Sequence, residues 1–363
     1  MRTERVLVMG GILIMNLSAA VGATSEELVR KGEGQAGQAA ALPFTLSITP
    51  ATPKTLPEYL DNIKAKDAYQ DWPFPSVVID GEFWVIQKDG SNGKVMRYKG
   101  TNIENAERQP DGCLNPTQAV WSTIARPYIL GGVWYSASEK KLYAPLHCEY
   151  SSVYGGSDLV GTKLNRQIHL ATSTDKGLTW NYEGPIITRD APGNPRPEPE
   201  YSGSLWDGGE GDFLLYADEE HGYIYIYSGH NLWPKPGHKG PKFAGCHVSR
   251  CAISDKLAPG KWRKFYNGNW SEPALGGKAS YVGGGYTIYS RSLKKYLSFQ
   301  GLGTLAFCSD LAKQDWSPSF RIPDGRWVSD DIWACALTDT NKTDVSRFDK
   351  TLYVYTYWLA SNL

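Results

Sequence analysis

The chain has 363 residues and carries 38 basic and 38 acidic side chains, so its formal charge is zero. That balance excludes general polyanion binding of the kind nucleic-acid proteins use, although a local basic groove stays compatible with it. The 13 Trp, 22 Tyr, 38 Gly and 22 Pro suit short aromatic strands joined by tight turns better than helices, and closed all-β architectures reach this length as one unit.

Arg2 and Arg5 precede an apolar run at 6–17, and small residues fill 18–23. That order predicts a secretory leader cleaved after Ala23, and so a secreted or periplasmic protein. The run is short for a bilayer span. No Cys follows the cleavage point to take a lipid, and no other segment is long and apolar enough to cross a membrane. Residues 24–68 read as a linker, small and polar at first, with one short helix expected at 56–68. Residues 69–363 then form the catalytic domain. Six cysteines remain, without a C-x-x-C spacing. Buried thiols and one or two disulfides both stay open.

From residue 69 onward, short alternating or aromatic runs are split by turn residues, and they fall into five groups. The first is 76–79, a turn at Asp80-Gly81, then 83–86 and 94–98. The second is 129–135, a turn at Ser138-Glu139-Lys140, then 142–145, 168–172 and 180–187. The third is 213–216, a turn at 218–222, then 223–228, 247–253 and 262–266. The fourth is 286–289, a turn at Lys294-Lys295, then 296–300, 304–308 and 316–322. The fifth holds only 332–337 and 352–358. It needs a strand from elsewhere, either the Tyr98 region or 42–48.

Between two of these strands stands Ser173-Thr174-Asp175-Lys176-Gly177-Leu178-Thr179-Trp180. The Asp can bond its own backbone and the Gly accepts φ > 0, so the stretch is a tight turn. The pattern S-x-D-x-G-x-T-W resembles the Asp box of sialidases and other β-propellers. Degenerate copies follow at Ser254-Asp255…Trp262 and Ser309-Asp310…Trp316. Self-similarity at roughly fifty to eighty residues predicts an all-β propeller, here five blades of four-stranded antiparallel sheets. The box then locks a hairpin at a blade edge, and the chemistry belongs to polar residues just ahead of the first strand of each blade.

Three stretches meet that description. Asp207-Gly208-Gly209-Glu210-Gly211-Asp212 reads as an acidic, glycine-rich loop ahead of a strand, equally suited to solvation or to a positioned carboxylate. Trp270-Ser271-Glu272-Pro273 reads as a loop whose Glu, set beside an aromatic ring, suits a general acid. His147 and Glu149 are two apart, so on a strand they share a face. They suit acid/base work, a substrate clamp or a metal pair, and a buried structural histidine fits as well. His169, His221, His230, His238 and His247 are expected to be structural. Trp72, Trp206, Trp233 and Trp270 are natural sugar platforms, and core packing beneath loops explains any one of them too. No nucleophile elbow, Walker loop, dinucleotide fingerprint or HExxH is present, and no helix follows Gly283-Gly284-Gly285 to make a phosphate loop.

The order of these carboxylates resembles five-bladed glycoside hydrolases of the arabinanase and β-xylosidase kind. In that family an Asp base, a pKa-modulating Asp and a Glu acid stand on successive blades. Asp212-Phe213-Leu214-Leu215-Tyr216-Ala217-Asp218-Glu219 is similar to the family's Asp-x-x-x-aromatic-x-Asp strand, and Glu272-Pro273 to its Glu-x-Pro motif with one residue missing. Phe74 stands where the first-blade Asp is expected, and Asp71 is the nearby substitute. The sialidase arginine triad has no identifiable counterpart. The resemblance implies a hydrolase of a poly- or oligosaccharide, monomeric, with no required cofactor, a structural Ca²⁺ being admissible. Glu272 would be proton donor, Asp212 base or pKa modulator, and Asp71 or Glu149 the remaining carboxylate. Trp72, Trp206, Trp270, Tyr281 and Arg291 would contact the sugar. Two other readings stay open. One is a polysaccharide lyase with His147 or Tyr281 as base and Arg291 neutralising a uronate. The other is a non-catalytic glycan-binding propeller.

Overall fold

The structure, a computed structural model, describes residues 7–19, 44–51, 73–88, 94–114, 127–151, 164–189, 201–202, 205–234, 243–300, 304–321, 332–341 and 343–360. The expected helix at 56–68, and with it Asp71 and Trp72, lies outside them. Among the described residues the chain is nearly all β, and a 3-10 turn at Ile253–Asp255 is the one helical element.

Two strands come from the N-terminal region, β1 (Leu7–Ala19) and β2 (Phe44–Ala51). The first sheet is the meander β3 (Ser76–Ile79), β4 (Glu82–Lys88), β5 (Lys94–Gly100) and β6 (Glu107–Leu114). In the second, β7 (Pro127–Ile129) and β8 (Trp134–Ser136) both pair with β9 (Lys141–Ser151), followed by β10 (Leu164–Ser173) and β11 (Thr179–Ile187). The third holds β12 (Tyr201–Ser202), β13 (Leu205–Asp218), β14 (Tyr223–Pro234), β15 (Phe243–Ala252), β16 (Arg263–Tyr266) and β17 (Asn269–Pro273). The fourth is β18 (Tyr286–Ser290), β19 (Lys295–Gln300), β20 (Thr304–Cys308) and β21 (Phe320–Arg321). The fifth joins β22 (Ile332–Thr338) through β24 (Thr351–Ala360) to β1 and β2, while the short β23 (Arg347–Phe348) pairs with β18.

The turns form where the sequence predicts them, and for the predicted reason. Asp80 and Gly81 take φ of 53° and 82°, and Lys140 and Lys294 take 51° and 52°. The Asp80–Gly81 pair matches the twist of a two-residue hairpin, while Lys140 and Lys294 each close a four-residue loop. One predicted strand is broken. Residues 129–135 divide into β7 and β8 at Gly131 and Gly132 (φ 76° and 141°). There the Gly131 carbonyl accepts a hydrogen bond from the Leu215 amide at 2.7 Å, and a Cβ on Gly131 would fall 1.8 Å from the Phe213 carbonyl oxygen. The break therefore lets β13 lie directly against the second sheet.

Apolar cores fill the spaces between successive sheets. Ile79, Trp84 and Ile86 meet Leu142, Ala144 and Trp180 between the first and second. Ile168 and Ile186 meet Phe213, Ile226 and Trp262 between the second and third. Leu214 and Tyr227 meet Tyr296 and Cys308 between the third and fourth. Leu297 and Leu305 meet Leu337 and Val354 between the fourth and fifth. Finally Tyr355 of the fifth sheet packs with Phe83, Val85 and Tyr98 of the first. Among the described residues the order of packing is thus cyclic, and inner strands such as β4 and β14 are buried on both faces. That explains strands apolar at nearly every position rather than at every second one.

The Ser173–Trp180 turn is held by its own side chains. The Gly177 amide donates to Ser173 Oγ (2.9 Å), and the Thr179 amide and hydroxyl donate to the two Asp175 oxygens (2.9 and 2.6 Å). Buried Trp180 donates its indole N–H to the Gly177 carbonyl at 3.0 Å. Trp262 does the same to Leu257 at 2.9 Å, and Trp316 donates to Gln314 Oε1 at 2.9 Å. All three turns follow the third strand of their meanders, so the repeat read from the sequence is also a repeat of position.

Cys113, Cys148, Cys246, Cys251 and Cys308 are free thiols, and burial pushes Cys251 up to about 12. The apolar run expected to be a leader is paired as β1, between β2 and β24. A run apolar at nearly every position suits a central strand as well as it suits export. No helix among the described residues is long and apolar enough to cross a membrane.

Candidate active site

The stretch 207–212, read as a loop, is the first half of the long strand β13. Its ladder with β14 slips twice, between Asp207 and Glu210 and between Gly211 and Phe213. Asp212 sits in the second slip with φ 47°. A bulge leaves its extra residue unpaired and re-aims the side chain. Here Asp212 is turned across to the second sheet, where the buried Arg166 guanidinium on β10 binds its Oδ2. The two strands touch through the parallel bridge Arg166–Gly209. Arg166 is 3% exposed and Asp212 29%, so a buried cation holds a carboxylate that still reaches solvent.

His147 on β9 completes this group. Its Nδ1 accepts the Asp212 amide at 2.9 Å, which places the proton of a neutral ring on Nε2, 3.7 Å from Asp212 Oδ1. Gly211 allows the approach: a Cβ there would lie 2.7 Å from His147 Cε1 and 2.9 Å from Arg166 Cβ.

Glu210, two residues earlier, faces the other way. It is 2% exposed, and its Oε1 accepts from His247 Nδ1 (2.9 Å) and Lys264 Nζ (3.1 Å). Its Oε2 accepts from Ser228 at 2.8 Å. Burial opposes ionisation, but the charges of His247 and Lys264 and the His247 hydrogen bond outweigh it and hold the carboxyl well below the usual range. Lys264 spends its other protons on the carbonyls of Thr188 (2.6 Å) and Gly277 (3.0 Å). The cluster thus ties β13, β14, β15 and β16 to the ends of two loops.

On the outer side, the His247 and His230 rings stack 4.5 Å apart at 18°. His230 Nδ1 lies 2.9 Å from the Tyr281 hydroxyl, and the Tyr281 ring is 4.7 Å from that of His247. Tyr281 is 47% exposed. His230, expected to be structural, therefore links a buried carboxylate cluster to an open phenol. His169 is structural as expected: it is enclosed by Tyr182 (2.8 Å) and Gln167 (3.0 Å), and burial lowers it to about 4.

The structure places the sequence candidates unevenly. Asp212, His147 and Tyr281 lie at this end of the β13–β14 hairpin, where Gly211 opposes Gly229 and Glu210 opposes His230. Glu149 opposes Arg166 on β9, with its side chain outside the described residues, as is that of Trp206 on β13. Residues 270–273, read as a loop, form the added edge strand β17, because Asn267 and Gly268 (φ 48° and 80°) close a tight hairpin on β16. Glu272 accordingly accepts the Lys278 amide at 3.2 Å. Among the described residues no hydrogen bond or ion pair joins it to Asp212. Trp270 is spent on packing, with Arg250 over its ring at 4.4 Å and its indole N–H on the Ala312 carbonyl at 2.7 Å. Arg291 is held at the surface by Asp344 at 3.2 Å. The second Asp of the strand motif, Asp218, lies at the opposite end of β13, buried against His221 and the Tyr296 hydroxyl (both 2.9 Å).

Among the described residues no group of three or more His, Cys, Asp or Glu side chains stands where it could hold a metal ion. Asp212 and Glu210 are already matched by cations, so these residues do not fit the oxygen cage a Ca²⁺ takes.

No protein-family model and no curated protein matches the chain. Among solved structures it is similar to Zg3597, a family 117 glycoside hydrolase of Zobellia galactanivorans (12% identity, 78% of this chain and 82% of that chain, TM-score 0.42). It is similar to a thermostable family-43 glycoside hydrolase (12% identity, 68% and 70%, TM-score 0.35). It is also similar to a protein of unknown function from Dyadobacter fermentans (10% identity, 99% and 96%, TM-score 0.38). Likeness at this level says nothing about activity.

Proposed function

We propose that the chain is a secreted, five-bladed β-propeller enzyme that cleaves a poly- or oligosaccharide by general acid–base catalysis, with Asp212 as its reacting carboxylate. The observation that carries this reading is the Arg166–Asp212–His147 group. A folding role alone asks nothing of a bulged, half-open carboxylate held by a buried guanidinium. Catalysis does, because a base has to be oriented and reachable together. In hydrolysis Asp212 takes the proton of the attacking water while Arg166 fixes the direction of its lone pairs. Glu272 is left out of the chemistry, since it lies on an edge strand and accepts a backbone amide.

The test is a panel of neutral and uronate-containing polysaccharides, scored for new reducing ends with the wild type and with Asp212→Asn. The expected result is cleavage by the wild type and a loss of about 10²-fold or more in the variant, the scale of a general base. Full activity in the variant, or a folded wild type that cleaves no glycan, overturns the reading.

One observation favours a second reading. The Tyr281 phenol, open to solvent and held by His230, has the makings of a β-elimination base. That reaction needs a uronate and gives an unsaturated, ultraviolet-absorbing product, whereas hydrolysis gives none.

A further inference from the structure

Within the glycan-cleaving reading, on which it rests, we propose that Tyr281 is the catalytic proton donor to the leaving glycosidic oxygen, and that His230 and His247 are its positioning residues. Three facts carry this. Among the described residues Tyr281 is one of three large hydrophobic side chains left exposed, at 47%, yet its hydroxyl is fixed by His230 at 2.9 Å. His230 is fixed in turn by stacking on His247 at 4.5 Å. His247 is anchored by the buried Glu210 carboxylate at 2.9 Å. A surface phenol needs no such support for stability. A phenol that has to meet a substrate atom does, because a misplaced acid loses its advantage.

In the proton-transfer step His230 donates its Nδ1–H to the Tyr281 oxygen, 2.9 Å away, and the phenol proton is the one given to substrate. As the glycosidic C–O bond breaks, that proton passes to the leaving oxygen. The phenolate left behind is stabilised by the His230 N–H. Water attacks the sugar carbon and gives its proton to Asp212. The two residues reset when Asp212 releases that proton to solvent and Tyr281 takes one up. One water is consumed and two hydroxyl groups form.

The experiment compares wild type, Tyr281→Phe and His230→Gln on an oligosaccharide the wild type cleaves and on an aryl glycoside of the same sugar with an acidic phenol as leaving group. Tyr281→Phe is expected to lose about 10²-fold or more in kcat on the oligosaccharide, with KM little changed, and to lose less than about fivefold on the aryl glycoside, which needs no acid. His230→Gln is expected to lose less, on the oligosaccharide only, with unchanged thermal unfolding. Equal losses on both substrates, or no loss in Tyr281→Phe, overturn the proposal. In either case Asp212→Asn still reports on the glycan-cleaving reading, so the two can fail separately.

Discussion

Glu210 and Asp212 stand two residues apart on β13 and face different sheets. Glu210 points into its own sheet, against His247 and Lys264, and Asp212 points across the seam to Arg166. The bulge between them does this, since two residues on a regular strand share a face. One carboxylate becomes a buried fastener and the other a half-open group held by Arg166, although the sequence presents them alike.

The Glu210–Lys264 pair is buried on both sides, so removing one partner strands the other charge. Glu210→Gln or Lys264→Met alone is expected to cost about 3–5 kcal/mol. The double replacement Glu210→Leu with Lys264→Met should recover part of that loss. Urea unfolding of the three variants checks this, and additive losses would contradict it.

Arg166 orients Asp212, and Lys cannot reproduce its planar fork. Arg166→Lys is therefore expected to keep the fold and to lose about tenfold or more in kcat on any glycan the wild type cleaves. Steady-state kinetics beside a circular dichroism melt separate these two effects.

His169 makes the protein acid-sensitive away from the site. Burial lowers it from 6.5 to about 4. Between those values the unfolded chain binds a proton there that the folded chain does not. Its stabilising contribution, about 3 kcal/mol at most, is complete above pH 6.5 and fades as the pH falls towards 4. His169→Gln should flatten the stability curve over that window. An unchanged slope in chemical denaturation would remove His169 as its cause.

The Ser173–Trp180 turn is expected to matter for stability and not for turnover. Asp175→Ala removes the acceptor of the Ser173 and Thr179 hydroxyls and of the Thr179 amide. It should cost about 1–3 kcal/mol with kcat intact. A large fall in kcat without destabilisation would give this turn a part in the chemistry.

The leader assignment and strand β1 make a last prediction. A protein exported to the medium or periplasm is expected to begin at Thr24 by N-terminal sequencing. A mature chain beginning at Met1 would keep β1 as a permanent strand.

The strands were legible because their apolar and aromatic runs are bounded by residues that only turns need, Asp80-Gly81 and Gly222 among them. The repeated turns were legible through Trp180, Trp262 and Trp316. The site was half legible. Asp212 and His147 stood out, but Arg166 had no local pattern, since its meaning comes from a bridge between two sheets 43 residues apart in sequence at Arg166–Gly209. Lys264 and His247 were hidden because they meet Glu210 across strands of one sheet, 54 and 37 residues away in sequence. Their one local sign is polar residues such as Ser228 and His230 intruding on an aromatic strand. The reading of 270–273 as a loop failed on Asn267-Gly268, an ordinary hairpin signal that makes an extra strand there.

The fifth sheet draws on both ends of the chain, with β1 and β2 from residues 7–51 and β22 and β24 from 332–360. Such pairing has about the longest sequence separation the chain allows, and non-local contacts form slowly. During synthesis, β1 and β2 can pair with each other but wait for β24 until residues 351–360 have emerged. The cycle of cores cannot close before then.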